Sequence, residues 1–329
     1  MGINGFGRIG RFVFRSTFLN NANKAKVTAI NDPFMSLDYL VYLLKYDSVH
    51  GRFPGSVEKA DGGIKVNGDF IKVFHETDPT KIGWGSVGAD YVCESTGVFL
   101  SQEKGALHIA GGAKKVVLSA PPKDSTPIYV VGVNHDKYSP SEQVVSNASC
   151  TTNCLAPLVA PIQDQIASGI MTTVHAVTGD QTTIDMPHKD WRRGRIAYRS
   201  IIPTATGAAA AIGLVIPSLQ GKLDGFALRV PTDNVSLVDL TLQMKEPVSV
   251  ETLHALYTEQ SQGPLQGILA LNNTPLVSID FNHTTASSIL DLTQTRVQGT
   301  TVKLLSWYDN EWGFANRMLD TAQAMQDAG

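Results

Sequence analysis

"INGFGRIGR", residues 3–11, sets Gly5, Gly7 and Gly10 in the spacing G-x-G-x-x-G. A short apolar stub precedes it, and the helix-spaced run "RIGRFVFRSTFLNN" (8–21) follows. Each glycine has its own physical reason: Gly5 permits a tight turn, Gly7 lets backbone approach a pyrophosphate, and Gly10 lets a helix pack on a sheet. The helix N-terminus supplies amide donors and partial positive charge. Asp32 ends the β-branched run "KAKVTAIND" (24–32), 22 residues after Gly10. An acidic side chain there accepts hydrogen bonds from an adenine-ribose diol and repels a 2′-phosphate, so the pattern predicts a dinucleotide site that favours NAD over NADP. Only four residues precede Gly5, which is short for the central strand of such a sheet; either the strand is curtailed or the numbering starts inside it.

Outward from this stretch the chain alternates. "SLDYLVYLLKYD" (36–47) and "SQEKGALHIAGG" (101–112) read as helices; "DYVCEST" (90–96), "AKKVVLSA" (113–120), "PIYVVGV" (127–133) and "EQVVSNAS" (142–149) read as strands. Such alternation, with near-continuous apolar strands, predicts a mostly parallel sheet covered on both faces. "DGGIKVNGDFIKVF" (61–74) alternates strictly about a glycine turn and predicts an antiparallel hairpin insert. Beyond residue 150 the long runs "GIMTTVHAVT", "LDGFALRVPT", "VSLVDLTLQM", "PLVSIDF" and "TVKLLSWYD" suit an antiparallel sheet, with helices from "VSVETLHALYTEQS" and "IPTATGAAAAIGLVIPSL". The stretch 178–203 has no clean period, and a connection of that length is usually functional or interfacial. A final amphipathic helix closes the chain.

At 329 residues the chain is too long for one ordinary core, which predicts two domains. With 43% apolar and 17% charged residues the composition is that of a soluble globular protein. A net charge of −3 gives no global pull toward nucleic acid or an anionic membrane, and no basic stripe with interleaved aromatics offers a nucleic-acid site. No apolar run approaches a membrane span, and the start lacks the build of a signal peptide. Three cysteines, at 93, 150 and 154, cannot form a disulfide scaffold and point to a reducing, cytoplasmic setting. No Cys/His cluster has metal-ligand spacing, so no metal is expected.

Within "SNASCTTNC" (146–154), Cys150 stands among polar residues where a strand gives way to a helix. A sulfur at a helix N-terminus has a lowered thiol pKa and is exposed, which suits a nucleophile. Packing material and a redox pair with Cys154 are the alternatives, although the C-x-x-x-C spacing is not that of a dithiol motif. His175 could serve as its base, but a lone strand histidine is also what a satisfied core residue looks like. Thr178, Arg193, Arg195, Thr206, Gly207 and Arg229 offer hydroxyls, guanidiniums and a helix start that could bind anions.

The segments "INGFGRIGR", "KYDSVHG", "ESTGVF", "SNASCTTNCLAP", "MTTVHA", "HKDWRRGR", "IIPTATGAA", "GKLDGFALRVPT", "VSLVDLT" and "SWYDNEWGF" occur in the order found in phosphorylating glyceraldehyde-3-phosphate dehydrogenases, and the chain resembles that family over essentially its whole length. The resemblance implies an α/β protein: a Rossmann-type NAD-binding domain over 1–149, with the helix 315–329 packing back on it, and an α+β catalytic domain with a largely antiparallel sheet over 150–314. It implies an S-shaped loop at 178–203 and a homotetramer. It further implies Cys150 as nucleophile with His175 as its base. Ser149, Thr151, Thr206 and Gly207 match the pocket for inorganic phosphate; Thr178, Arg193 and Arg229 match the pocket for the phosphate of glyceraldehyde 3-phosphate, with Arg195 a neighbour. Arg8, Ile9, Asp32, Ser119 and Asn310 match cofactor contacts, and Thr96 and Phe99 line the cofactor pocket.

Departures from the family pattern leave the named catalytic groups in place. Val177 replaces an aromatic after the catalytic histidine, Ala210 replaces a lysine, and the Cys150–His175 connection is about two residues short. The tail, "FNHTTASSILDLTQTRVQG" and "DNEWGFANRMLDT", resembles the erythrose-4-phosphate dehydrogenase branch, whereas Thr178 and "ATGAA" side with the glyceraldehyde enzyme. A binding protein without activity on the same fold is the more distant alternative.

Overall fold

The structure, a computed structural model, describes residues 1–19 and 25–329. The ends of two sequence-predicted elements, Asn20–Asn21 and Lys24, lie outside the described residues. The chain divides into two compact units, one formed by Met1–Tyr129, His135–Ala148 and Ala315–Gly329, the other by Val130–Asn134 and Ser149–Phe314.

The first unit runs β1 (Gly2–Asn4), α1 (Arg8–Leu19), β2 (Ala29–Asn31), α2 (Leu37–Lys45), β3 (Val57–Ala60), β4 (Gly63–Val66), β5 (Asp69–Phe74), β6 (Tyr91–Glu94), α3 (Gln102–Ala110), β7 (Lys115–Leu118) and β8 (Val144–Ser146). Its sheet has the order β3-β4-β5-β2-β1-β6-β7-β8. From β5 to β8 all neighbours pair in parallel, and the hairpin β4–β5 extends the edge antiparallel with β3. β1 is central, and all its residues are buried, which is why apolar Ile3 sits there.

β1 hands over to α1 through a turn that only glycine fits. Gly5 has φ +86°, and a Cβ on it would lie 2.8 Å from the Thr96 amide. A Cβ on Gly10 would lie 2.0 Å from the Gly5 carbonyl oxygen, so the helix can close on the strand only because that position carries none.

The second unit runs α4 (Cys150–Val159), β9 (Ile166–Ala176), β10 (Ile202–Ala205), α5 (Ala208–Val215), β11 (Leu223–Val230), β12 (Ser236–Met244), α6 (Val250–Gln262), β13 (Leu269–Asn272), β14 (Ser288–Asp291), β15 (Arg296–Gln298) and β16 (Thr301–Tyr308); α7 (Trp312–Ala328) closes the chain. The sheet order is β10-β11-β9-β12-β16-β14-β13, with β15 on β16. Most pairs are antiparallel, but β11–β9 and β13–β14 are parallel. β12 alternates strictly between buried and half-buried or exposed residues, the pattern of a strand covered on one face.

Two predicted strands are corrected. "PIYVVGV" (127–133) forms only an isolated bridge from Ile128 to Ser146, because the Val133 and Asn134 amides turn back onto the Val130 carbonyl and Gly132 takes φ +86°. In "PLVSIDF" (275–281), Ser278–Phe281 is a 3-10 turn, with the Val277 amide donating to the Asp280 carboxylate at 2.8 Å.

Replacing Gly10 by alanine forces the α1 start away from the Gly5 carbonyl. Gly10→Ala should lower unfolding stability by about 1–3 kcal/mol in urea titration; an unchanged midpoint would contradict the close approach.

Candidate active site and cofactor pocket

Ser149 caps α4: its Oγ accepts from the Thr152 amide at 3.0 Å, which makes Cys150 the first helical residue. Just before it Ala148 holds φ +59°, a left-handed conformation that costs a non-glycine residue roughly 1–2 kcal/mol. The strained turn sets the angle at which α4 begins. β9 carries His175 to the same point, and Cys150 Sγ lies 3.6 Å from His175 Nε2.

The imidazole's other nitrogen meets two groups of opposite character. Nδ1 lies 2.7 Å from the Ala176 carbonyl oxygen and 2.7 Å from Arg229 Nη1. The carbonyl only accepts and the guanidinium only donates, so Nδ1 satisfies one of them at a time; with the proton on Nδ1 it donates to the carbonyl, which also accepts from Arg229 Nη1 at 3.1 Å. Nε2 is left with a lone pair facing sulfur. Burial first, and the guanidinium second, lower the His175 pKa to about 3, so the imidazole is neutral at rest.

The helix-start argument for a lowered Cys150 pKa is corrected here. Burial pushes the thiol up, against opposing pulls from Arg229 and the Thr151 amide. Cys150 as a residue is half-buried, and burial is the largest influence on its thiol, so the helix amides act on a group already short of water. The resting pair is a neutral thiol beside a neutral imidazole, and the thiolate must form by proton transfer.

Thr151 Oγ1 is hydrogen-bonded to the Tyr308 hydroxyl at 2.9 Å, and Tyr308 bonds Thr173 Oγ1 at 2.8 Å, with its ring edge-on to His175. Thr206 Oγ1 accepts from the Ala208 amide at 3.3 Å, and Gly207 caps α5 with open space where a Cβ would be. Thr178 is tied to Gln181, whose Oε1 accepts from the Thr178 amide at 2.9 Å. Arg193 donates to Asp180 at 2.5 Å and to Thr204 at 2.8 Å, and it lies 3.4 Å from Asp190. Arg195 forms an exposed pair with Asp185. Asn310 is buried, and its Oδ1 accepts from Ser236 Oγ at 2.8 Å. Tyr308 escaped the sequence reading because its partner is set by tertiary contact, 157 positions away at Thr151; Gln181, three positions from Thr178, sits in a stretch with no clean period to mark it. Cys154 is buried, with its thiol donating to Ser288 Oγ at 3.6 Å, a structural role that needs no redox partner.

The first unit holds a cavity of about 400 Å³ whose walls include Gly5, Gly7, Asp32, Phe34, Thr96 and Phe99. Gly7 is exposed to it and has nothing within 4 Å of its Cβ position, so a pyrophosphate can approach the backbone. Asp32 accepts from the Phe6 amide at 3.0 Å and the Phe34 amide at 3.1 Å, bridging the glycine turn to the end of β2. These residues fit a dinucleotide. Arg8 pairs with Asp47 at 3.2 Å from the first turn of α1, which also carries Ile9, and Ser119 follows β7 with its amide donating to the Glu94 carbonyl at 3.0 Å. Among the described residues no group of three His, Cys, Asp or Glu side chains could hold a metal, and no helix is long and apolar enough to cross a membrane.

Sequence comparison matches residues 1–102 to "Glyceraldehyde 3-phosphate dehydrogenase, NAD binding domain" and residues 149–310 to the C-terminal domain of the same family. The chain belongs to the glyceraldehyde-3-phosphate dehydrogenase family. It is 54% identical over 324 residues to a glyceraldehyde-3-phosphate dehydrogenase of Schizophyllum commune, covering 97% of this chain and 95% of that one. Glyceraldehyde-3-phosphate dehydrogenase 1 of Drosophila melanogaster is 53% identical over 330 residues, covering 99% and 98%. As the family's name implies, the chain is an NAD-dependent oxidoreductase.

Arg229 lowers both the thiol and the imidazole pKa, so removing its charge raises both. At any pH below the thiol midpoint Arg229→Gln then holds less thiolate. Its iodoacetamide alkylation profile should move to higher pH; an unmoved or acid-shifted profile would contradict the charge coupling.

Proposed function

We propose that the chain oxidises and phosphorylates D-glyceraldehyde 3-phosphate to 1,3-bisphosphoglycerate, with Cys150 as nucleophile and His175 as its base. The observation that carries this is the 3.6 Å approach of Cys150 Sγ to the lone-pair nitrogen of His175. His175 Nε2 takes the thiol proton as sulfur attacks the aldehyde carbon. The Cys150 amide and the newly formed imidazolium stabilise the oxyanion, and protonation gives a hemithioacetal. NAD, when bound, supplies the hydride acceptor. His175 takes the hydroxyl proton back as the carbon is oxidised, leaving a thioester on Cys150. Inorganic phosphate then attacks the thioester carbonyl and loses its proton to solvent; sulfur leaves as thiolate and takes the proton held on His175, restoring the neutral thiol and imidazole.

Ser149, Thr151, Thr206 and Gly207 are assigned to the attacking phosphate, and Thr178, Arg193 and Arg229 to the substrate's phosphate, with Arg195 beside them. A phosphate at Arg193 must compete with Asp180 and Asp190, which already hold its guanidinium. Cofactor contacts are assigned to Gly5, Gly7, Arg8, Ile9, Gly10, Asp32, Thr96, Phe99, Ser119 and Asn310. The erythrose-4-phosphate alternative is not favoured, since the relatives at 52–54% identity are glyceraldehyde-3-phosphate dehydrogenases. A homotetramer is supported by exposed apolar side chains of the second unit, Ile170, Ile184, Met186 and Trp191, which need cover. Three free cysteines fit a reducing, cytoplasmic compartment.

Cys150→Ser should cut NADH formation by several orders of magnitude while NAD binding stays near wild type; retained turnover would remove the nucleophile assignment. Asp32→Gly should relax the preference for NAD over NADP in initial-rate assays, and an unchanged ratio would count against the ribose-diol contact.

A further inference from the structure

The carboxylate of Glu94, at the end of β6, is fully buried, and the proposed mechanism does not use it. Its four acceptor sites are filled by donors. Oε2 accepts from Asn4 Nδ2 at 2.6 Å and from His108 Nε2 at 2.9 Å; Oε1 accepts from the Thr96 amide at 2.7 Å and from the Thr96 hydroxyl. The direction of the chain follows from its far end. The Trp84 indole N–H can only donate, and it lies 3.1 Å from His108 Nδ1, so that nitrogen carries no proton and Nε2 carries one. His108 is therefore neutral, and no cation stands among these four donors.

On its other side the network reaches the cofactor pocket. Asn4 Oδ1 accepts from Asn31 Nδ2 at 2.7 Å, and Asn31 exchanges two hydrogen bonds of 2.9 Å with the backbone of Glu76. Asn4, Asn31, Glu76 and Thr96 all line the cavity, whereas Glu94, His108 and Trp84 do not. Thr96 Oγ1 also accepts from the Val98 amide at 3.1 Å, which shapes the turn leading to Phe99. An isolated buried carboxylate is a costly way to stabilise a sheet. This one gives three of its four acceptor sites to Asn4 and Thr96, which line one wall of a ligand site, and the fourth to His108.

We infer that Glu94, oriented by His108 and Trp84, is a positioning residue for the cofactor: its carboxylate locks the 95–99 turn and the Asn4 amide into the shape that receives the adenosine half of NAD. The inference rests on the cavity being the cofactor site, which wild-type binding of ADP-ribose tests separately. Glutamine at 94 presents an NH2 that must face at least one N–H or O–H donor in either orientation. Leucine at 108 removes one donor to Glu94 and strands the indole N–H. Glutamine at 108 can donate to Glu94 and accept from Trp84 together.

The test measures ADP-ribose affinity by calorimetry at a temperature where circular dichroism shows each variant folded, together with ligand-free melting temperature and the Cys150 alkylation rate. Glu94→Gln and His108→Leu should each raise the ADP-ribose Kd about tenfold or more, with Cys150 alkylation unchanged. His108→Gln should bind within about threefold of wild type. Lower melting temperatures with an unchanged Kd in Glu94→Gln and His108→Leu would overturn the inference and leave a purely structural role. Equal weakening by His108→Gln and His108→Leu would overturn the hydrogen-bond chain. If Glu94→Gln does not fold, the two His108 variants decide the matter alone. Failure of wild type to bind ADP-ribose would remove the cofactor-site reading on which the inference stands.

Discussion

The site in the second unit depends on which tautomer His175 takes, and the Ala176 carbonyl 2.7 Å from Nδ1 favours the one with its proton there. That proton decides which nitrogen can act as a base. With Nδ1 protonated, Nε2 points a lone pair at Cys150; with the tautomer reversed, the same geometry would offer sulfur nothing. Arg229 reinforces the arrangement from the side. Its charge disfavours a doubly protonated ring, and its donation to the same carbonyl holds that acceptor in place. The register between β11 and β9 places Arg229 directly opposite His175, so the pairing of two strands delivers the electrostatics of the site.

The first unit follows a different logic, in which backbone rather than side-chain chemistry makes the ligand surface. Gly5 and Gly10 bring strand and helix together closely enough that a single methyl group would part them. What side chains contribute is rigidity from beneath. The Asn31–Asn4–Glu94–His108–Trp84 chain ties the carboxyl ends of β1, β2 and β6 to the loops that wall the cavity. Polar residues at such depth are tolerated because each finds its partner.

Elements whose signal is local were legible in the sequence. The G-x-G-x-x-G turn, the hairpin over 61–74 and the long strands holding His175 and Arg229 depend on glycine spacing and period-two alternation within a few residues. Elsewhere legibility failed, for local reasons in one case and distant ones in others. The 127–133 run has the apolar content of a strand, yet Gly132 and the turn onto Val130 end it. β13 and β14 escaped notice because each is short and they pair in parallel. Among site residues, Cys150 stood out for its polar neighbours, and family resemblance supplied the roles. Its protonation was misjudged, since the helix start is local but the burial that outweighs it is not. Glu94 looked like the end of an apolar strand; its partner Asn4 lies 90 positions earlier.

In the proposed mechanism Cys150 carries the acyl group and only phosphate releases it productively. Mixing wild-type protein with excess NAD and glyceraldehyde 3-phosphate, without inorganic phosphate, isolates that step in a stopped-flow trace at 340 nm. The expected trace is a burst of NADH approaching one per chain, a stall, and resumed turnover on adding phosphate. Sustained turnover without phosphate, at the rate seen with it, would contradict it.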